Sequence, residues 1–324
     1  MKGCDDPMTC KNKLGEQIDL VSERVGTESQ IDDKNSPQYK AKEWITEECY
    51  ATVPINPCTE SQLPIIDQRY ALAVMYFSLG GDDWNDGANP GLDYDAPPGT
   101  WLSGLNYCEW GLLYCDDFGN VLEIDFCKWQ RSFLVFIWRG EAHSEIALIS
   151  TTEHPLVTDD NNLAGEIPPE IGVLVNMTVY GAYENQQTGS IPTTLGLITQ
   201  LQEFDVEDNS MTGQLFQSDY VGGPNGLKNV VTWYTSGNDF EGSIPVEIGE
   251  WTKIEQLYFA DNNITGTIPT EIGNLENMRK WTTLMDSDLL ACAHTTALLP
   301  PNRIFCLLRE SNKGNDTDRD RKHE

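Results

Sequence analysis

Asn161-Asn-Leu-Ala-Gly165-Glu-Ile-Pro168, Asn185-Gln-Gln-Thr-Gly189-Ser-Ile-Pro192, Asn238-Asp-Phe-Glu-Gly242-Ser-Ile-Pro245 and Asn262-Asn-Ile-Thr-Gly266-Thr-Ile-Pro269 decide the fold of this chain. With Asn209 they set an asparagine ladder, Asn161, Asn185, Asn209, Asn238 and Asn262, at intervals of 24, 24, 29 and 24 residues. A fixed period in the twenties marks a solenoid. Apolar residues stand three, five and eight places before Asn209 and Asn262: Val206, Phe204 and Leu201, then Phe259, Leu257 and Ile254. Alternation at three and five predicts a short strand with one buried face, and stacked coils make those strands a parallel sheet. A side-chain amide suits the turn after the strand because it serves stranded N–H and C=O groups together. Glycine supplies the conformation of the return turn, and Ile-Pro pins an extended segment on the far side.

This pattern resembles the plant-type leucine-rich repeat over about 155–278. The resemblance implies an α/β solenoid, a short right-handed horseshoe with a concave parallel β-sheet and a helical, disulfide-bearing N-terminal cap. The third repeat departs from it, with Gly213-Gln-Leu-Phe216 in place of Gly-x-Ile-Pro and five extra residues near Tyr220–Gly226, placed on the convex or rim side. In the fourth, Trp233 and Thr235 stand where leucine is expected.

The stretch Trp101-Leu-Ser-Gly-Leu-Asn-Tyr-Cys108-Glu-Trp110-Gly111-Leu-Leu-Tyr-Cys115 resembles the N-terminal cap of plant receptor ectodomains, which implies a Cys108–Cys115 disulfide. Cys49 with Cys58, and Cys4 with Cys10, are further candidate pairs. Ser61 to Gly81 reads as one helix, with Pro64 near its start and Gly80-Gly81 as its stop, packed on the open end of the sheet. Ser36-Pro-Gln-Tyr-Lys-Ala-Lys-Glu-Trp44 and Gly80-Gly-Asp-Asp-Trp84 resemble the leader of leucine-rich repeat proteins of diatoms. In that family the leader follows a membrane span, which implies an anchor N-terminal to Met1. The domain reading is a disordered segment 1–35, a cap region 36–120, about five coils over 121–278 and a non-repeat, disordered tail 279–324.

An interruption over 127–159 breaks the first coil. Removing it leaves Ile124 and Phe126 five and three places before Asn161, with one residue and Asp160 between. Both this break and the loss of pattern at Arg279 begin with Lys-Trp, after Cys127 and Arg279. Those residues can be encoded x-GTAAGTGG, a splice donor, and the excision from 127 to 159 is in frame. All four histidines and Cys127, Cys292 and Cys306 lie in these two segments, which read as translated intron.

There are 51 acidic and 21 basic residues, a net charge of −30, which argues against nucleic acid as a partner. No apolar run reaches the ~18 residues of a membrane helix, and Met1-Lys-Gly-Cys is no signal peptide. The cap resemblance and the sequons at Asn176 and Asn263 nevertheless point to an extracellular or cell-surface glycoprotein.

No hydrolase, zinc-protease, nucleotide-binding or kinase motif is present, so the chain reads as non-enzymatic, with no cofactor and no metal site. Strand positions facing away from the core include Tyr183 and Glu184; Glu203, Asp205, Glu207 and Asp208; Thr232, Tyr234 and Ser236; and Glu255, Gln256, Tyr258 and Asp261. Tyr183, Glu203, Asp205, Glu207, Tyr234, Glu255, Gln256 and Tyr258 are the candidate ligand contacts. Carboxylates interleaved with tyrosines suit a cationic ligand, within a broader class of peptide, protein or glycan. The resemblance implies a receptor-like recognition module. The alternatives it leaves open are a secreted inhibitor of a cell-wall hydrolase, as in polygalacturonase-inhibiting relatives, and a structural or adhesive wall protein.

Overall fold

A computed structural model describes residues 7–48, 57, 59–84, 101–102, 106–126, 161–224 and 226–282. Cys4, Cys49 and Cys58, the insert at 127–159 and the tail beyond 282 lie outside the described residues, and so do the expectations that rest on them.

Three helices open the chain: α1 Pro7–Val25, α2 Pro37–Glu48 and α3 Leu63–Ser78. The first corrects the expectation of a disordered 1–35. Leu14, Ile18, Val21 and Val25 recur at helical spacing and are buried, and Asp67 of α3 accepts from Gln17 at 2.6 Å and Arg24 at 2.8 Å. That apolar stripe is narrow and draws its stability from the helix it covers. Ser36 caps α2, its Oγ accepting the Tyr39 N–H at 2.9 Å ahead of Pro37. Every residue of α3 from Ile66 to Tyr76 is buried, because α1 and α2 cover one side and the first coil the other. Pro64 sits in its first turn, and Gly80, at φ +71°, ends it.

Beyond the helices the chain alternates between two kinds of sheet. Its strands are β1 Leu113–Cys115, β2 Val121–Asp125, β3 Ala164–Glu166, β4 Val179–Gly181, β5 Gln186–Thr188, β6 Glu203–Asp205, β7 Thr212–Gln214, β8 Thr232–Tyr234, β9 Asp239–Ser243, β10 Gln256–Tyr258, β11 Asn263–Thr265 and β12 Lys280–Thr282. The main sheet runs β1-β2-β4-β6-β8-β10-β12, parallel except for the β1–β2 hairpin. The odd-numbered strands β3 to β11 form two smaller parallel sheets after the ladder turns.

The ladder works as its chemistry suggests. Asn238 Nδ2 donates to Val206 O at 2.8 Å, Thr235 O at 3.4 Å and Ser236 O at 3.2 Å, while its Oδ1 accepts from Met211 N at 2.9 Å. Each later asparagine donates to the carbonyl three residues back, and Asn161 makes that bond to Phe126 O. Ile124 pairs with Tyr180, so β2 holds the strand register that the healed pattern requires.

Where Ile-Pro is present, a 3-10 turn follows, as at Pro169–Val173 and Val246–Glu250. The third repeat lacks it and builds α4 Ser218–Val221 instead, whose Tyr220 and Val221 fill the core. Its sheet continues into β8, where Trp233 is buried and stacks at 4.6 Å on Phe204. A second correction concerns the tail read as starting at 279: β12 adds a strand, with Lys280, Trp281 and Thr282 in register with Gln256, Leu257 and Tyr258. One more period from Leu257 lands on Trp281, an apolar residue able to continue the alternation.

Candidate functional site

Cys108 and Cys115 form a disulfide around Trp110. Arg69 of α3, only 1% exposed, lies between Trp44 at 4.9 Å and Trp110 at 5.0 Å, so one guanidinium fastens α2, α3 and this loop together. Gln68 Oε1 accepts from Val121 N at 2.8 Å, and Ala164 N donates to Leu79 O at 3.1 Å. Farther along, Glu170 is buried against the helices, where Thr27 Oγ1 donates to it at 2.7 Å and Gln38 Nε2 at 3.2 Å. Burial pushes the Glu170 carboxyl above the usual carboxylate range, against the pull of those hydrogen bonds. These contacts hold the helices rigidly to the first coil.

On the main sheet, the face away from the core carries a cleft of about 390 Å³. Tyr183, Glu203, Asp205, Glu207, Tyr234 and Gln256 line it, together with Thr232, an outward strand position outside the chosen contacts. Register explains the opening. Asp205 of β6 stands beside Gly181 of β4 and Tyr234 of β8, and Gly181 has no side chain to fill the space next to the carboxylate. Asp205 is 6% exposed and forms the floor, its Oδ1 accepting the Glu207 N–H at 3.2 Å.

The remaining candidates sit at the margin. Tyr258 is outside the lining but its ring lies 5.0 Å from that of Tyr234, extending the aromatic wall. Glu255, one residue before β10, is 3.4 Å from the Arg279 guanidinium and faces that partner. Burial raises the Glu207 carboxyl above its usual range, while a Ser236 hydrogen bond opposes the rise. The Tyr258 hydroxyl is raised by burial and then by the negative charge of Glu207. Asp208 and Asp261 do not line the cleft, and the Asp208 carboxyl is raised by burial and then by the charge on Asp261. Among the described residues, no three His, Cys, Asp or Glu side chains converge as metal ligands. The asparagines of both sequons, Asn176 and Asn263, are exposed. Among the described residues no helix is long and apolar enough to cross a membrane.

Stacked coils whose main sheet is parallel from β2 onward, an amide ladder and a lined cleft define a solenoid repeat protein. Residues 253–275 match the family model described as Leucine Rich Repeat, and the coils around them repeat that unit as parallel strands. Solved structures similar to it include the plant peptide hormone receptor RGFR1 in complex with RGF2, at 34% identity over 37% of this chain and 18% of that one, TM-score 0.35. PEPR1-AtPEP1 is 21% identical over 66% of this chain and 24% of its own, TM-score 0.47. The BIR2 ectodomain from Arabidopsis thaliana is 17% identical over 65% and 92%, TM-score 0.42. The chain thus spans 18% and 24% of the length of the first two. No curated protein matches the sequence.

Proposed function

We propose that this protein is a non-enzymatic recognition module, receptor-like and extracellular or at the cell surface, whose concave face binds a cationic peptide or protein segment. In this reading the coils form a short right-handed horseshoe sealed at its N-terminal end by α1–α3 and the Cys108–Cys115 loop. The observation that carries it is the cleft over β4, β6, β8 and β10, where Glu203, Asp205 and Glu207 lie between Tyr183 and Tyr234. Carboxylates steer a cation and hold it in register, and tyrosines give contact area at low entropic cost. A disulfide and two exposed sequon asparagines favour an oxidising compartment.

Titration calorimetry of the full chain with a lysine-rich peptide tests this. Asp205→Ala, Tyr234→Ala and Tyr258→Ala should each weaken binding, the first by about tenfold or more. Unchanged affinity in all three would remove the concave face from consideration.

A further inference from the structure

The carboxylates of the cleft are not scattered over the sheet. Glu203 and Asp205 of β6 and Glu207, two residues past its end where Val206 N and Asp208 N still bond to Tyr234 O and Ser236 O, are alternate residues of one extended stretch and form a single column. The columns on either side are uncharged at the same levels: Val179 and Gly181 on β4, Thr232 and Tyr234 on β8. The next carboxylates in register, Glu123 and Asp125, lie on β2, two strands away.

These two directions have different spacings. Successive same-face residues along a strand are about 6.5–7 Å apart, whereas two strands across a sheet span about 9.5 Å. An extended peptide laid along β6 meets one carboxylate with every second residue. Laid across the strands, it meets a carboxylate only at about every third.

We infer that the cleft selects a peptide with cationic side chains at alternate residues, lying along β6 rather than across the sheet. This rests on the binding reading above and adds the direction and spacing of the ligand. Tyr183 and Tyr234 then act as side walls on the ligand's backbone and intervening residues. Gly181 leaves the room in which the central cation reaches Asp205.

Three peptides of equal length and charge separate the possibilities: lysines at alternate residues, lysines at every third residue, and lysines contiguous. Long-range attraction is the same for all three, so affinity differences report register. Calorimetry on the full chain should show the alternate peptide binding about tenfold tighter than the other two. Asp205→Asn, which keeps an oxygen for the Glu207 N–H, should bring it down to their level, whereas Asp125→Asn should leave it unchanged. Equal affinities that all fall with Asp205→Asn would overturn the directional inference and leave the binding reading standing. A tightest every-third peptide, sensitive to Asp125→Asn, would overturn it in favour of a crossing ligand. No binding by any peptide would overturn both.

Discussion

Gln187 Nε2 donates a hydrogen bond to the Tyr180 hydroxyl at 2.9 Å, with both residues fully buried in the second coil. Each departs from the repeat. Tyr180 stands where Phe204 and Leu257 stand in later coils, and Gln187 where Leu163, Met211 and Phe240 stand. A hydroxyl or an amide alone in this core would be desolvated without that compensation, so the two polar substitutions make sense only together.

Their coupling is measurable by a double-mutant cycle in urea. Tyr180→Phe removes the acceptor of a buried amide and should cost about 1–3 kcal/mol. Gln187→Leu should cost a similar amount, and the double variant should lie well short of the sum. Additive losses would show that the pair is not a unit.

Asn238 makes four hydrogen bonds to the turn groups of its own and the preceding coil. Asn238→Ala leaves those groups unpaired in a buried turn, and the expected loss is about 2–4 kcal/mol in denaturant unfolding. Replacing an exposed asparagine such as Asn176 should change stability by less than about 0.5 kcal/mol.

Glu170 gives a pH dependence with a defined sign. Its folded-state pKa is raised by burial, so the native state binds the proton more tightly than the unfolded chain. The associated stability is fully present below the unfolded carboxylate value and is lost as pH rises through the raised one. Glu170→Gln removes the charge, and Gln38, whose Oε1 is buried with no hydrogen-bond partner, can turn its amide to receive the new donor. The variant should therefore melt higher than the parent at pH 8 and lose that advantage near pH 3. A lower melting temperature at pH 8 would show that the charged form is the stabilised one.

The bond from Asn161 Nδ2 to Phe126 O reproduces, across the insert, the contact made within each later coil. A chain in which one residue links Phe126 to Asp160 should thus fold with a melting temperature equal to or above that of the full sequence, since the two residues are then joined by a much shorter stretch of chain. The translated-intron reading makes the same deletion the natural one, and transcripts lacking codons 128–158 are expected to predominate. Failure of the deleted chain to fold would show that the insert contributes to the first coil.

Much of this architecture is legible in the sequence because a ladder fixes register: once Asn209 is placed, Phe204, Asp205 and Val206 have their faces assigned by alternation. The Phe126–Asn161 juxtaposition follows from the same ruler. Helix α1 is hard to read along the chain, because only Leu14, Ile18, Val21 and Val25 form its stripe among many polar residues and its stability comes from Asp67 and α3. Strand β12 was hidden by the composition change at Arg279, although Trp281 keeps the period. Neither the pairing of Tyr180 with Gln187 nor the opening beside Gly181 is visible along the chain, since both arise from neighbours on different strands or turns.

Carboxyl footprinting of the full chain, with and without the alternate-lysine peptide, tests the binding site most directly. Carbodiimide labelling should fall at Glu203 and Glu207 when the peptide is present, while Glu247 and Glu271, in the turns after Pro245 and Pro269, label as before. Protection at Glu247 and Glu271 with none along β6 would contradict the assignment of the concave face as the site of recognition.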